Sequence, residues 1–201
     1  MRAKVQDTIE KRIKHKGRGK LYVNNDFADL GTPDAVRQSL QRLQKDGMLI
    51  RVHRGVYCYP KIDNVLGLGI LLPTLWDIAN AIARRDRITI IPTAPVALNL
   101  LGLSTQVPAN AVFYTNGTSR VLKNGADKSI RFIHTNDNRL LSYSSQIMLL
   151  VVLAMREIGD GQLSERQWEQ LKSYVTRVKK KEFAHDIRLA PTWIQKKLHS
   201  I

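Results

Sequence analysis

The sequence predicts an α+β protein: an N-terminal winged helix-turn-helix, then a mixed α/β domain with a small sheet and a helical C-terminus. Three observations lead there. Apolar residues recur at helical spacing up to Gly47, a period of two replaces it from Met48 to Tyr59, and beyond Pro60 short β-branched runs alternate with helical ones. With 201 residues and 43% apolar content the chain can bury a real core, in one domain or two small ones. The expected division is 1–60 for the winged module and 61–201 for the second domain.

Taken in order, Val5, Ile9 and Ile13 form one apolar stripe of an amphipathic helix that Gly17 and Gly19 end. Leu21, Tyr22 and Val23 make a short strand-like step. Asn25 or Asp26 then caps a short helix through Phe27, Ala28 and Leu30, closed by Gly31. Thr32-Pro33-Asp34 is a strong helix start: a hydroxyl N-cap, a proline at the first helical position and an acid at the positive dipole end. This helix runs to Asp46, and Gly47 fits the left-handed position beyond it. Val36, Leu40 and Leu43 face the core; Gln38, Gln41 and Lys45 fall opposite, flanked by Arg37 and Arg42. Met48, Ile50 and Val52 then alternate with Leu49, Arg51 and His53, Arg54-Gly55 turns the chain, and Val56–Tyr59 returns as a strand ended by Pro60.

The second region opens with a connection over 60–72. The apolar stretch from Val65 to Ala83, interrupted by Gly67, Gly69, Pro73 and Asp77, reads as a buried helix with an irregular entry. Trp76, Ile78, Ala79 and Ile82 pack on one side of it, with Arg84, Arg85 and Arg87 at the far end. Strands follow at 88–92, 111–115, 120–122 and 129–134, and a helix at 95–101 is closed by Gly102 and leads out through 103–108. Gln146–Ile158 is a buried helix, two more lie near 164–179 and 181–189, and a final short one follows Pro191.

Charge bears on partners. Thirty-two Lys+Arg against 17 Asp+Glu give +15, an excess that favours polyanions: nucleic acid or an anionic membrane surface. The longest apolar run, Ile147 to Met155, falls well short of the roughly 20 residues needed to span a bilayer, and Met1 to Lys20 lacks the apolar segment of a signal peptide. The single Cys58 allows no intramolecular disulfide, so a cytoplasmic protein is expected, with Cys58 in the core. The first 60 residues hold 13 basic and 6 acidic side chains, including the run Lys11, Arg12, Lys14, Lys16, Arg18 and Lys20, which no acid interrupts.

In a winged helix-turn-helix the second helix of the turn enters the major groove and the wing reaches the adjacent backbone or minor groove. Gln pairs bidentately with adenine and Arg with guanine. The expected duplex-DNA contacts are therefore Lys16, Arg18, Lys20, Thr32, Arg37, Gln38, Gln41, Arg42, Lys45, Arg51, His53 and Arg54. Arg54, beside a turn glycine, is the stronger phosphate candidate of the wing; His53 reads equally as a surface residue. Tyr22, Tyr57 and Tyr59 read as hairpin packing rather than as stacking platforms for single strands.

Catalytic patterns are missing from the sequence. Gly67-x-Gly69 lacks the third glycine and preceding strand of a dinucleotide fingerprint, no P-loop occurs, and the five histidines have no zinc-type spacing. His134-Thr135-Asn136-Asp137 reads as strand-end turn chemistry. Pro33-Asp34 starts a nuclease-like signature, but no Glu-x-Lys partner follows at a useful distance. No enzyme, cofactor or metal is expected. The alternatives are a nuclease or nucleotide-modifying domain targeted by the winged helix, or a non-specific nucleic-acid-binding accessory.

Two blocks carry a family resemblance. Thr32-Pro33-Asp34-Ala35-Val36-Arg37-Gln38-Ser39-Leu40-Gln41-Arg42-Leu43, with Arg54-Gly55-Val56-Tyr57, resembles the amino-terminal domain of AbiEi-type antitoxins. The stretch from Pro92 to Gln106, PTAPVALNLLGLSTQ, resembles the core of the same group, and the likeness covers most of residues 5 to 135. It implies a bacterial type IV toxin–antitoxin component: a winged-helix autorepressor binding an inverted repeat at its own promoter. It further implies a C-terminal domain that counteracts a nucleotidyltransferase-like toxin without a stable toxin complex. Helix 33–46 would be the recognition helix and 48–59 the wing. The resemblance carries over no catalytic residue and gives no role to Lys179-Lys180-Lys181 or Lys196-Lys197.

Overall fold

The computed structural model describes residues 2–106, 110–123 and 128–200, with side chains from Val5 onward. The fold is α+β with a helical C-terminal part, in two compact units, one up to Ile88 and the other from Thr89 onward.

In the first unit, α1 (Arg2–Lys16) and α2 (Pro33–Lys45) enclose a core of Ile9, Ile13, Val36, Leu40 and Leu43. The strands β1 (Lys20–Tyr22), β2 (Ile50–His53) and β3 (Val56–Tyr59) form an antiparallel sheet in the order β1-β3-β2. β1 and β3 add Tyr22 and Tyr57 to that core, Leu49 joins it just ahead of β2, and the rings of Tyr22 and Phe27 stack with centroids 5.7 Å apart. Between β1 and α2 the short helix is a 3-10 turn over Asn24–Phe27. Asp26 lies inside this turn rather than ahead of it, and its carboxylate accepts from the Val23 N–H at 2.9 Å. The start of α2 follows the expected chemistry, with Thr32 Oγ1 accepting from Ala35 N at 3.3 Å. Gly47, at φ +76°, takes the left-handed position just past its end, which an L side chain adopts only with strain.

Two sequence expectations change here. Residues 61–72 are not the entry to a buried helix: β4 (Lys61–Asp63) and β5 (Gly69–Leu71) pair antiparallel as a separate hairpin. Its Ile62, Val65, Leu66, Leu68, Ile70 and Leu72 are all exposed. Gly67 and Gly69, read as helix punctuation, instead carry the positive φ angles of the hairpin loop, +69° and +66°. The helix begins only at Thr74, whose side chain accepts from Asp77 N, and α3 spans Leu75–Asp86.

The second difference is the boundary. The first unit continues past residue 60 because the end of α3 is tied to it by hydrogen bonds. Arg84 Nη2 donates to the Leu21 carbonyl at 3.0 Å. Asn25 Nδ2 donates to the carbonyls of Arg84 and Arg85, at 3.3 and 3.0 Å. The last four carbonyls of a helix lack partners within it, and Asn25 supplies a donor to two of those of α3.

In the second unit β6 (Ile90–Pro92), β7 (Asn110–Thr115), β8 (Arg120–Lys123) and β9 (Ser129–His134) form one sheet in the order β6-β7-β9-β8. The β7–β9 pair is parallel and the other two are antiparallel. After β6 comes α4 (Ala94–Leu100); after β9 come a single turn, α5 (Asn138–Leu141), and then α6 (Gln146–Ile158). On α6, Leu149 and Leu153 pack with Ile91 and Ala97. Met148, Val151, Val152 and Met155 face Leu171, Val175, Ile187, Ile194 and Leu198 from α7 (Glu165–Val175), the segment after α8 (Lys180–Asp186), and α9 (Thr192–Leu198). The apolar run Ile147 to Met155 of α6 is buried or half-buried throughout, as a helical stretch without polar residues requires, while Gln146, Arg156 and Glu157 at its ends are exposed. Val107 and Pro108, in the segment expected to lead out of α4, lie outside the described residues.

Among the described residues no helix is long and apolar enough to cross a membrane.

Candidate nucleic-acid interface

The exposed face of α2 follows from its angular arithmetic. At about 100° per residue, Asp34, Arg37, Gln38, Gln41, Arg42 and Lys45 occupy an arc of roughly 140°. Val36, Ser39, Leu40 and Leu43 fill the opposite arc and are buried. Ser39 is the one polar residue on that inner side, and its Oγ donates to the Ala35 carbonyl at 2.8 Å. Arg37, Gln41, Arg42 and Lys45 are exposed and Gln38 is half-buried. Arg37 pairs with Asp34 at 2.9 Å. The side chains of Gln41, Arg42 and Lys45 make no hydrogen bond or ion pair among the described residues, so their polar groups are turned to solvent. Thr32 is exposed, and its hydroxyl oxygen is engaged as the N-cap.

The wing is the β2–β3 hairpin. Its register shifts between Arg51 and His53, a bulge that adds twist to the strand. Arg51 and Arg54 are exposed, and His53 is half-buried and engaged within the fold. Gly55 turns the tip at φ +70°. From α3, Arg85 holds the tip: its Nη1 donates to the Arg54 carbonyl while its guanidinium pairs with Asp86 at 2.7 and 3.0 Å. The Arg54 backbone is therefore fixed and its side chain is left outward.

The basic run at the end of α1 divides. Arg12 is not a solvent-facing cation: it grips Asp29 with two hydrogen bonds, at 2.8 and 2.6 Å, and lies 5.9 Å from the Phe27 ring centroid. That contact holds the Asp29 carboxyl below its ordinary pKa. Lys14 pairs with Glu10 one helical turn back, at 2.6 Å. Arg18 donates to the Pro60 carbonyl at 3.0 Å and its guanidinium covers the Tyr59 ring at 4.7 Å, so it clamps the sheet while staying exposed. The sequence shows no acid within the run; the acids arrive from Glu10 and from the segment before α2.

Lys16 and Lys20 are brought together with a residue that sequence reasoning did not assign to this module. They line a concavity of about 400 Å³ with Arg84, Asp26, Asp77 and Asn80. Arg84 sits more than 60 residues from Lys20, and no spacing rule connects them. Tyr22, on the same wall, is buried, which pushes its phenol up to about 12. Cys58, on the central strand β3, is buried and burial raises its thiol too, which suits a core residue rather than a reactive one.

In the second unit, polar clusters serve the backbone. Asp137 caps α5 by accepting from Arg139 N and Leu140 N, and His134 lies between the Gly117 carbonyl and Asn136 Oδ1. Ser144, His185 and Asp186 look like a nucleophile–base–acid set, but both Ser144 Oγ (3.2 Å) and Asp186 Oδ1 (2.8 Å) meet the same ring nitrogen, Nδ1. A relay needs the hydroxyl and the carboxylate on opposite ring nitrogens. Asp186 instead accepts from the backbone N–H groups of Ser144 and Ser145, fixing the entry to α6. Among the described residues no group of three or more His, Cys, Asp or Glu side chains is placed to hold a metal ion.

No curated protein matches the chain. Among solved structures, the crystal structure of the Rv2827c protein from Mycobacterium tuberculosis is similar at 13% identity and a TM-score of 0.44, covering 98% of this chain and 80% of that one. The match to a protein family spans both units, from residue 8 near the start of α1 to residue 183 in α8. The chain belongs to the family of unknown function DUF6088.

Proposed function

We propose that this protein is a sequence-specific duplex-DNA-binding regulator that represses its own operon. The observation that carries the reading is the outer face of α2, where Gln41, Arg42 and Lys45 stand exposed without partners among the described residues, opposite a buried face of Val36, Ser39, Leu40 and Leu43. A major groove about 12 Å wide admits such a helix, and Gln and Arg are the side chains that read adenine and guanine edges. In this reading Arg51 and Arg54 of the wing, with Lys16 and Lys20, supply phosphate contacts. Arg18, Arg37 and Thr32 contribute through the groups their internal bonds leave outward, and Gln38 and His53 stand at the margin.

The resemblance to AbiEi-type antitoxins extends the proposal to a cytoplasmic antitoxin whose second unit counteracts a nucleotidyltransferase-like toxin, with no enzymatic activity or cofactor of its own. Gel-shift titration against the chain's own upstream region tests the DNA reading. The expected result is binding at least about 10³-fold tighter than to scrambled duplex, weakening steeply with salt. Equal affinity for both would sink it. Co-expression with the neighbouring reading frame tests the antitoxin role: growth arrest that this chain fails to relieve rejects that part alone.

A further inference from the structure

The β4–β5 hairpin presents an apolar surface that the reading above does not use. Ile62 and Ile70 are directly opposed across the pair and are 44% and 52% exposed. At the loop, Val65, Leu66 and Leu68 are 91%, 76% and 64% exposed, and Leu72 follows β5 at 70%. The loop is held by its own bonds: Asp63 Oδ1 accepts from Val65 N at 2.9 Å and from Leu66 N at 3.2 Å. These apolar side chains are thus displayed on a formed turn. Among the described residues β4 and β5 pair only with each other, leaving both outer edges open. A lone two-stranded hairpin is marginal in water and gains from a covering surface.

We infer that this hairpin is a self-association surface, and that a second copy of this chain covers it. Area supports that occupant. Six aliphatic residues exposed to this degree present at most roughly 650 Å², so two facing hairpins bury up to about 1,300 Å², which reaches the lower end of the range of about 1,200–2,000 Å² for stable protein–protein interfaces. A contiguous apolar patch above a few hundred Å² is also what marks interaction sites on soluble surfaces.

Charge supports it as well. In a chain of +15, the segment 61–72 carries one lysine, Lys61, and one aspartate, Asp63, and is neutral. Two copies therefore meet at a place where their like charges do not oppose each other. An anionic membrane would call for Lys and Arg clustered beside the apolar tip; the loop 64–68 carries none, and the nearby cations Lys61 and Arg18 stand at the foot of the hairpin, where Arg18 is held by the Pro60 carbonyl. The surface is isologous, which closes the assembly at two copies. It does not depend on nucleic-acid binding, so it stands or falls separately from the regulator reading.

Sedimentation equilibrium of the full chain, without nucleic acid, over about 1–200 µM tests it. The expected mass moves from 22.9 kDa toward twice that value as concentration rises. Leu66→Glu with Leu68→Glu, at exposed loop positions, should hold the chain at the monomer mass across the range while far-UV circular dichroism and the melting temperature of the dilute protein stay unchanged. A second variant, Ile62→Lys, should do the same from the strand face. A wild-type chain that stays monomeric throughout overturns the inference. So does a dimer that both variants retain, and so does a monomer that co-sediments with phosphatidylcholine vesicles through the same leucines.

Discussion

Gln41 and Lys45 sit one turn apart on the same exposed face of α2, yet DNA recognition asks different things of them. Neither side chain has an internal partner among the described residues, so replacing either by alanine should leave folding stability within about 0.5 kcal/mol of wild type. Lys45 lies in the last turn, and in the proposed reading its cation meets a phosphate. Neutralising one phosphate contributes about 0.9 to the slope of log affinity against log salt, so Lys45→Ala should flatten that slope by about 0.9. Between 0.05 and 0.3 M salt the ratio of wild-type to variant affinity should then shrink about fivefold, with no change in sequence preference. Gln41→Ala should do the reverse: an unchanged slope, and a loss of about 1–3 kcal/mol in discrimination at one base pair, or roughly 5- to 160-fold. Asp34→Asn supplies a control of opposite sign. It removes the carboxylate that holds Arg37 at 2.9 Å, and should steepen the slope by up to about 0.9. Fluorescence anisotropy on a labelled duplex from the upstream region, titrated at several salt concentrations, reads all three. Identical slopes for the wild type, Lys45→Ala and Asp34→Asn proteins would refute the placement of α2 against DNA.

Other expectations concern the fold. Leu40 is fully buried between α1 and α2, so Leu40→Ala should cost about 2–5 kcal/mol in urea unfolding, and a loss below about 1 kcal/mol would contradict the described core. Tyr22 is raised by burial from 10.0 to about 12. Its unfolded form therefore loses the proton first, so stability should be level below about pH 10 and fall by up to about 2–3 kcal/mol between pH 10 and 12. Tyr22→Phe should remove that decline in pH-dependent urea midpoints, and an unchanged decline would count against Tyr22 as its source. Asp186→Ala strips the acceptor from the Ser144 and Ser145 N–H groups at the start of α6. It should destabilise the second unit by about 2–4 kcal/mol, whereas Asp186→Asn, which keeps one acceptor oxygen, should cost less by thermal melting. Equal melting points for the two variants would show that these bonds do not hold the loop.

How much of the protein was legible depended on the range of the signal. The start of α2 at Thr32-Pro33-Asp34, the turn at Arg54-Gly55, the strand 129–134 and the helix 146–158 all rest on neighbours within a few residues, and the structure places them where the sequence does. The stretch from Val65 to Leu72 was misread because apolar composition resembles a buried segment whether or not anything covers it. Gly67 and Gly69 interrupt either conformation; only their φ angles tell a hairpin loop from a helix entry. The sheet order β6-β7-β9-β8 and its parallel β7–β9 pair were also out of reach, since strand pairing is chosen among competing edges after the strands exist.

The candidate site shows the same division. The amphipathic arc of α2 is a property of its own sequence, because helical geometry assigns Gln41, Arg42 and Lys45 to one side and Leu40 and Leu43 to the other. The fate of each cation is not. Arg12 is taken by Asp29 and Arg18 by Pro60 and Tyr59, while Arg84 joins Lys16 and Lys20 from more than 60 residues away. Sequence by itself determined the start of α2, the helix 146–158, the turn at Arg54-Gly55 and the excess of positive charge, since these follow from local backbone preference and composition. Only tertiary structure decided which charges are left facing outward, that α3 belongs to the winged module, and that the 61–72 hairpin is displayed rather than buried. Those outcomes depend on which distant groups come within hydrogen-bonding or packing distance, and short-range spacing does not encode that.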